Sequence, residues 1–572
     1  MKEKVKKIWQ VLNDDWIRIS FNCWKNIYPI YVKSFIIIFI GINIAFAFHS
    51  FSFINGDHDW GSLRGPMSIN STVQFGRFSS YYLPFLLTGN HILPVLTNLY
   101  AFVGLALGAI ALCIYWKVPK SAFSYSIIGL LLCIQPYTLS WLWYSIETIP
   151  HLWMPLFVII AYILSEKAAR EEVSRTISIV YIIIAALLFV LVLGTYPSII
   201  NTMAVVLIGR LIIDIFLKKE ISFILLKNIF TRHKYSFLSA IIGGIIFKLI
   251  LEWLAVIGRL STNTYHIQTI ALKEFPEHFI KVTDIIFRYV WENLLPFLPT
   301  PLIRLFAYVF ILALVMVILN VFFEDGNKKK KIIKIGIILL GTALLITLSN
   351  TAMLISPELS DTRQPNVLFF GDAFLHVFPI ALLFIQRFQI AKNIVIIASI
   401  ILLNMCLIQD ALALKAWKFG FEAEKALWNR LVMRIEEAPL FNKNIKYKLI
   451  PIGNSYSYRP HYYYRANEKR MITVSHILYR SYGGVLLPKA LSFFSPDLSL
   501  EGFFRYNFSA YLRRNDKTAW EYALKYKNDI YKMDVYPSKN SIIVKDDVII
   551  IVFDESSLDE AKKLIAEREK KK

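Results

Sequence analysis

The chain alternates between long apolar runs and short, strongly charged connections. An apolar stretch of about 17–25 residues can cross the hydrocarbon core of a bilayer as a helix. The pattern predicts about eleven spans of that length, at residues 34–54, 95–116, 122–140, 149–165, 176–194, 198–216, 236–256, 303–323, 332–349, 367–386 and 394–411. The sequence therefore predicts a polytopic α-helical membrane protein.

The composition agrees with a membrane protein and changes how the charge is interpreted. Of 572 residues, 56% are hydrophobic, which soluble domains rarely sustain. The 63 basic and 41 acidic residues give a net charge of +22, which in a soluble protein would suggest nucleic acid. Here the Lys and Arg residues lie mainly between apolar runs, so the charge indicates membrane orientation and no nucleic-acid partner. The four cysteines show no CxxC spacing.

The basic segments fix the expected orientation. The Lys/Arg-rich ones lie at residues 1–7, 117–120, 165–175, 218–234, 324–334 and 386–392. All fall on one side if every span crosses once, and that side is cytoplasmic by the positive-inside rule. We therefore expect an amphipathic cytoplasmic segment at 1–33, a membrane domain at 34–411, and outer loops at 55–94, 257–302 and 350–366.

The region 412–572 is too polar for a membrane and is expected outside as a small α/β domain. A helix-like opening precedes a strand candidate at 447–453, and residues 541–553 predict two strands around a Lys-Asp-Asp turn. A tyrosine-rich run at 455–465 could contact saccharide or anchor at the headgroups. In the outer loop at 257–302, the apolar residues of 278–297 follow helical spacing and predict a helix lying in the interface.

The first outer loop begins with FINGDHDWGSLRGP, which places Asp57 and Asp59 where the first span must end. Carboxylates often simply terminate a span. One held at the apolar edge could also act as a general base toward a hydroxyl nucleophile. In an extended segment both side chains share one face, so either could be the base. No cofactor is firmly implied, although Mg²⁺ or Mn²⁺ could bind the two carboxylates without a dedicated cage.

Several cations share the outer side with these carboxylates. Arg64 and Arg77 lie in the first outer loop, and Arg363 lies in the last. Each could pair with lipid headgroups, but together they favour an anionic substrate group such as a phosphate. Lys248 is the most internal charge, and Glu252 follows on the same helical face. It could form an ion pair there or reach a lipid-linked phosphate.

Two aromatic segments complete the candidate chemistry. The segment WLWYSIETIPHLW at 141–153 carries Glu147 and His151 and is typical of an interfacial belt or a saccharide site. The segment GTYPSIINT at 194–202 carries Tyr196 and is typical of a helix turn. The P-loop, HExxH, GxSxG and Rossmann motifs are absent, which disfavours nucleotide-driven transport and the common hydrolases.

These motifs resemble those of the bacterial serotype-converting glucosyltransferases, the Gtr type II family of GT-C-type membrane enzymes. The resemblance lies in DHDW at 57–60, GRF at 76–78, GTYPS at 194–198, TR at 362–363, LIPIGNS at 449–455 and MDVYPSKNSIIVKDDVIII at 533–551. It covers nearly the whole chain, but each motif is short. The Asp-His-Asp order departs from the adjacent acids more familiar in this fold, so it stays open which aspartate acts.

The resemblance implies a specific activity. Family members transfer a sugar, commonly glucose, from a polyprenyl phosphate to a surface polysaccharide at the outer face of the bacterial cytoplasmic membrane. Asp57 or Asp59 would be the base, with inversion expected, and Arg64, Arg77, Glu147, Tyr196, Lys248 and Arg363 would bind substrate. The acceptor stays open between O-antigen, teichoic acid and another glycan. A companion flippase and a donor-lipid synthase are expected partners.

The main alternative is a flippase or exporter of lipid-linked saccharides. Such transporters place charged groups near the midplane and often carry inverted repeats. Here the carboxylates and arginines concentrate on one face, and the sequence shows no repeat. An envelope assembly protein would leave the Asp-His-Asp motif without a role. The sequence therefore favours the enzyme.

Overall fold

The computed structural model describes residues 29–52, 66–93, 95–142, 144–218, 223–260, 270–271, 273–292, 300–323, 327–355, 365–386, 389–453, 498–503 and 507–570. Sixteen helices make up the apolar part: α1 Pro29–Ser52, α2 Ile69–Val73, α3 Tyr82–Thr88, α4 Leu96–Tyr115, α5 Ala122–Cys133, α6 Pro136–Leu142, α7 Ser145–Ala168, α8 Arg175–Leu193, α9 Ile200–Phe216, α10 Phe223–Val256, α11 Phe275–Glu292, α12 Thr300–Phe323, α13 Lys328–Leu348, α14 Thr351–Ile355, α15 Pro365–Ile385 and α16 Gln389–Glu436.

Within the described ranges, nine of these helices are long and apolar enough to cross a membrane: α1, α4, α7, α8, α9, α10, α12, α13 and α16. The bent pair α5 and α6 raises the number to ten if it forms one span. The predicted span at 367–386 coincides with α15, whose apolar part Phe369–Ile385 is shorter than a full span. The polytopic helical fold is confirmed, whereas a count of eleven full-length spans is not.

The break between α5 and α6 follows from the sequence Ile-Gln-Pro. Proline has no N–H to donate, and it disfavours helical backbone at the residue before it. Accordingly, α5 ends at Cys133, Ile134 leaves the helical region, and α6 starts at Pro136 with a bend of 58°. The bend lets α6 pack against both α15 and α16.

The helix bundle is held by one continuous apolar core, within which some contacts need glycine. At Gly371 in α15, an added Cβ would lie 1.8 Å from the Ser349 carbonyl oxygen. Only a residue without a side chain allows the start of α15 to approach the end of α13 that closely. This contact draws the end of α13 toward the end of the bundle that carries the candidate site.

Helix α16 joins the bundle to the C-terminal region without interruption. Its 48 residues, of which the apolar span is Gln389–Lys415, would extend about 72 Å at 1.5 Å per residue. The predicted boundary at residue 412 therefore falls inside a helix. Polar residues such as Glu, Lys and Arg follow the span, but they are good helix formers, so the change of composition does not end the helix.

The C-terminal region contains a four-stranded sheet with the order β2-β1-β4-β3. Its strands are β1 Lys446–Ile452, β2 Ser499–Phe503, β3 Ile542–Lys545 and β4 Val548–Val552. β1 runs parallel to β2 and β4, and β3 pairs antiparallel with β4. The strands predicted at 447–453 and 541–553 are confirmed as β1, β3 and β4.

Both faces of this sheet are covered, which explains its continuous apolar strands. Because side chains alternate along a strand, Ile549 and Ile551 pack against the end of α16, whereas Ile550 and Val552 face the opposite side. That side is covered by four helices: α17 Phe508–Arg513, α18 Lys517–Lys525, α19 Lys527–Lys532 and α20 Glu555–Lys570. The C-terminal end of the membrane helix is thus one layer of an α/β arrangement.

The amphipathic helix predicted in the outer loop at 257–302 is present as α11. Val282 is fully buried against the bundle, while Asp284 and Arg288 are exposed and paired with each other. His278 lies 2.8 Å from the Met353 carbonyl oxygen of α14 through its Nε2 atom. The helix is confirmed, and its place in the membrane interface stays a prediction.

Candidate functional site

The described part of the first outer loop packs on the end of α8 and holds Arg77 in place. The Arg77 amide donates to the Thr72 carbonyl at 3.0 Å, and the Ser79 amide donates to the Gly194 carbonyl at 2.9 Å. A Cβ on Gly194 would lie 2.5 Å from the Phe78 ring, so the loop can pack this closely only because residue 194 is glycine. This explains the glycine of the GTYPS segment in physical terms.

Arg77 forms an ion pair with Glu147, at the start of α7. Its Nη1 lies 3.1 Å from Oε2 and 3.4 Å from Oε1, and the two side chains are 18% and 19% exposed. Burial disfavours the charge on Arg77, but the neighbouring Glu147 carboxylate outweighs that cost, and the pKa of Arg77 lies above its ordinary value. Arg77 is therefore a fixed positive charge at the rim of the bundle.

The Tyr196 ring lies beneath this ion pair. The Arg77 guanidinium carbon is 4.8 Å from the centre of the ring, a cation–π distance. Three residues named from distant parts of the sequence, Arg77, Glu147 and Tyr196, are thus brought together. Their convergence places the loop between α2 and α3, the start of α7 and the segment after α8 on the same side of the bundle, as the predicted orientation requires.

His151 and Trp141 form the buried floor of the site. His151 lies one turn after Glu147 on α7, and its Nε2 is 3.9 Å from Glu147 Oε2. The Trp141 ring stacks on His151 with centroids 3.9 Å apart and meets Tyr196 edge-on at 5.2 Å. Arg77, Trp141, Glu147, His151 and Tyr196 are called the outer cluster below.

Helix α15 closes the floor through Phe370. Its ring lies 5.3 Å from Trp141 and 5.9 Å from Tyr196. The Thr202 hydroxyl on α9 donates to the Phe370 carbonyl at 2.6 Å, which fixes this part of α15 against the segment that follows Tyr196. The outer cluster therefore rests on a rigid aromatic base built from three helices.

The other predicted site residues are not part of this cluster. Lys248 lies on α10 with 78% of its side chain exposed, and its Nζ is 3.8 Å from Glu252 Oε1. The ion pair is the simpler of the two alternatives considered from the sequence, and a role in phosphate binding stays a prediction. Asp57, Asp59, Arg64 and Arg363 lie outside the described residues, so their roles also stay predictions.

From the sequence, the segment 141–153 that contains Trp141 and His151 was interpreted only as an interfacial belt or a saccharide site, and its packing beneath Arg77 was not predicted. The spacing of Glu147 and His151, four apart on one helical face, was the signal that could have linked them. Phe370 offered no signal, because it is one apolar residue in an apolar run. Within the described ranges, no three His, Cys, Asp or Glu side chains lie close enough to hold a metal ion.

A second charged group, also missed from the sequence, lies at the opposite end of the bundle. Asp214 on α9 contacts Lys117 at 2.5 Å, His233 at 3.0 Å and Arg210 at 3.4 Å. Glu166 on α7 contacts Arg210 at 3.3 Å and His233 at 3.5 Å. The signal was Arg210 and Asp214, four apart inside an apolar span. These five residues are called the inner network below.

The chain matches a known protein family. A family model described as glucosyl transferase GtrII covers residues 64–380, which is more than half of the chain. The matched range contains the whole outer cluster and begins after Asp57 and Asp59. No curated protein and no solved structure matches the chain.

Proposed function

Because the chain belongs to the GtrII glucosyl transferase family, we propose that this membrane glucosyltransferase takes its sugar from a polyprenyl phosphate. The sugar, which we expect to be glucose, goes to a cell-surface polysaccharide at the outer face of the bacterial cytoplasmic membrane. The acceptor is O-antigen, teichoic acid or a related glycan. Since polyprenyl donors carry their phosphate at the membrane surface, the enzyme needs a cationic site at the rim of its helix bundle.

The observation that carries the proposal is the position of Arg77. It is a partly exposed guanidinium at one end of the bundle, fixed by Glu147 and Tyr196. Its Nε atom is buried and has no hydrogen-bond partner among the residues that the structure describes. A guanidinium presents several donors in a planar fork that suits phosphate oxygens. Arg77 can therefore bind the donor phosphate, while the Tyr196 ring stabilises the positive charge of the guanidinium by a cation–π contact.

The reaction is a direct displacement at the anomeric carbon. The acceptor oxygen forms the new bond to that carbon, and its proton passes to Asp57 or Asp59. The bond from the anomeric carbon to the phosphate oxygen breaks, and the polyprenyl phosphate leaves with the electron pair. Arg77 stabilises the charge that develops on the phosphate. One displacement inverts the anomeric configuration, whereas retention would need a carboxylate nucleophile.

The remaining predicted residues take supporting roles in this proposal. Glu147 orients Arg77, and Arg64 and Arg363, which lie outside the described residues, would add to the positive charge that binds the phosphate. Lys248 would act at the lipid-facing surface of α10. A donor-lipid synthase and a flippase must supply the lipid-linked sugar to the outer leaflet.

The test is transfer of radiolabelled sugar in proteoliposomes from a panel of polyprenyl-phosphate sugars. Wild type is compared with Asp57→Asn and Asp59→Asn, with folding checked by gel filtration. We expect transfer by the wild type and its loss, by at least a hundredfold, in the variant that lacks the base. An arm with EDTA asks whether Mg²⁺ or Mn²⁺ at the two aspartates takes part.

Asp284→Asn is the matched control, because this exposed carboxylate is paired locally with Arg288 on α11. It should retain wild-type transfer. Movement of intact donor across the bilayer without chemistry, at rates indifferent to both loop substitutions, would contradict the proposal and favour a flippase.

A further inference from the structure

Beneath the Arg77–Glu147 ion pair lies a group of buried polar atoms that have no partner in the described structure. They are Arg77 Nε, Trp141 Nε1, His151 Nε2, Thr138 Oγ1 and Gln135 Oε1. Such atoms are rare in folded proteins, because each one loses its hydrogen bond to water and gains none in return. Where several of them adjoin aromatic rings, as here, a polar ligand can supply the missing hydrogen bonds.

These atoms belong to residues in one continuous series of contacts. Arg77 contacts Glu147 at 3.1 Å, Glu147 approaches His151 Nε2 at 3.9 Å, and His151 stacks on Trp141 at 3.9 Å. Thr138 lies one turn before Trp141 on α6, and its amide donates to the Gln135 carbonyl at 2.8 Å. The series runs from the rim of the bundle to the break between α5 and α6.

The hydrogen bond of the His151 ring assigns its tautomer. Nδ1 faces the Glu147 carbonyl oxygen, which can only accept, so Nδ1 carries the proton. Nε2 of the neutral ring is then an acceptor, and it faces the carboxylate oxygen of Glu147, another acceptor. A group that donates a hydrogen bond, such as a hydroxyl, can lie between two such acceptors.

The unpaired atoms include donors and acceptors. Arg77 Nε and Trp141 Nε1 can only donate, while His151 Nε2 and Gln135 Oε1 can only accept. The aromatic rings of Trp141, Tyr196 and Phe370 pack against one another, and those of Trp141 and Tyr196 also contact the His151 ring. Aromatic faces combined with alternating donors and acceptors match a pyranose, whose hydroxyls do both and whose C–H face is apolar. A lipid chain would satisfy none of these polar atoms.

We infer that Trp141, His151 and Thr138 line a subsite for the hexopyranose of the lipid-linked donor, below the site of its phosphate. The inference rests on the proposed function. The rim of the subsite is the Arg77–Glu147 pair, which is partly exposed, whereas Trp141 and His151 are buried beneath it. A phosphate that binds Arg77 competes with Glu147 for the guanidinium and thereby opens the way to the floor.

The experiment compares two ligands for each variant in lipid nanodiscs by titration calorimetry. One ligand is polyprenyl-phosphate glucose, and the other is the same polyprenyl phosphate without sugar. The dissociation constant of the sugar-free lipid divided by that of the glucose lipid measures what the sugar contributes to binding. In Trp141→Phe, which keeps an aromatic ring and removes the Nε1 donor, we expect that ratio to fall about tenfold. Affinity for the sugar-free lipid should stay within about twofold.

Two further comparisons separate ligand contact from structure. Trp153→Phe is the matched control, because the Trp153 Nε1 atom already donates to the Tyr100 carbonyl at 2.8 Å, and its ratio should not change. His151→Gln keeps an acceptor in its side-chain amide and should retain more of the sugar contribution than His151→Leu does.

Each outcome decides a separate point. Equal loss of both ligands in Trp141→Phe would make Trp141 structural and overturn the subsite. An unchanged ratio would mean that water alone occupies these atoms, which also overturns it. A wild type that binds the sugar through Trp141 but transfers none would refute the proposed function and leave the subsite standing. Active transfer with an unchanged ratio in Trp141→Phe would support the proposed function and overturn the subsite.

Discussion

The two ends of the helix bundle carry charged groups that are built differently. In the inner network, every charged side chain has an oppositely charged neighbour within 4.0 Å, and Arg210, Asp214 and His233 are almost completely buried. In the outer cluster, Arg77 and Glu147 are partly exposed. Among the described residues, both ends contain buried polar atoms without a hydrogen bond, but those of the inner network, Arg210 Nε, Glu166 Oε1 and His233 Nδ1, lie within 3.5 Å of an ion-pair partner, whereas the outer cluster includes the neutral Trp141 Nε1. The charges of the inner network are thus paired and mostly buried, whereas the Arg77–Glu147 pair of the outer cluster is accessible to a ligand.

This difference separates a structural role from a functional one. A buried ion network whose charges are matched ties its helices together, and removing one member leaves the others uncompensated. A partly exposed ion pair such as Arg77–Glu147 can exchange one partner for a ligand at lower cost. We therefore expect changes in the inner network to reduce stability and changes in the outer cluster to reduce transfer.

The largest effect should follow from Asp214→Leu in the inner network. The change leaves Lys117, Arg210 and His233 without a shared carboxylate, and breaking such a buried group costs about 3–5 kcal/mol. Thermal unfolding in detergent should show a large loss of stability, with transfer per folded molecule unchanged. Asp284→Leu removes an exposed carboxylate and should have little effect on unfolding. If Asp214→Leu lost transfer but kept wild-type stability, the structural role assigned to the inner network would be wrong.

Next comes Arg77→Gln in the outer cluster. Without the guanidinium, the phosphate charge that develops in the transition state loses its main support, so transfer should fall about 10²–10³-fold. The rate is measured in proteoliposomes with saturating donor. Arg259→Gln is the control, because Arg259 is an exposed residue that donates to Asn70 in the same outer region. A rate within twofold of wild type for Arg77→Gln would be incompatible with a phosphate site there.

A smaller effect is expected from Tyr196→Leu. The ring stabilises the Arg77 charge by about 0.5–2 kcal/mol, so its loss should lower transfer about tenfold. Tyr196→Phe keeps the ring face and should retain most of the rate. If both variants lose activity equally, the hydroxyl matters more than the ring.

The smallest effect should be that of Lys248→Met. The side chain is mostly exposed on α10 and paired locally with Glu252, so we expect a change of less than about twofold in transfer and in unfolding. A loss comparable to that of Arg77→Gln would place Lys248 at the phosphate after all and extend the site to the surface of α10.

The parts of the structure that depend on local pattern could be predicted from the sequence. The apolar runs located the helices, and the alternation around the Lys-Asp-Asp turn located β3 and β4. The end of α16 could not be located, because its polar residues after the span favour helix as much as the apolar ones before it.

The candidate site was predictable only in part. Arg77, Glu147 and Tyr196 were each notable for their residue type, but their meeting depends on how the first outer loop packs on Gly194. His151 and Trp141 gained their roles from burial and stacking, which one sequence does not display. Arg210 and Asp214 went unnoticed because the apolar run around them dominated the pattern, although their i,i+4 spacing was visible.

The most direct test of the central claim, that the outer cluster binds the donor phosphate, is a binding measurement. A short-chain polyprenyl phosphate and the corresponding neutral polyprenol are titrated into wild type and Arg77→Gln in nanodiscs. We predict that Arg77→Gln binds the phosphate at least about tenfold more weakly and the polyprenol equally well. Equal affinity of both proteins for the phosphate would contradict the claim.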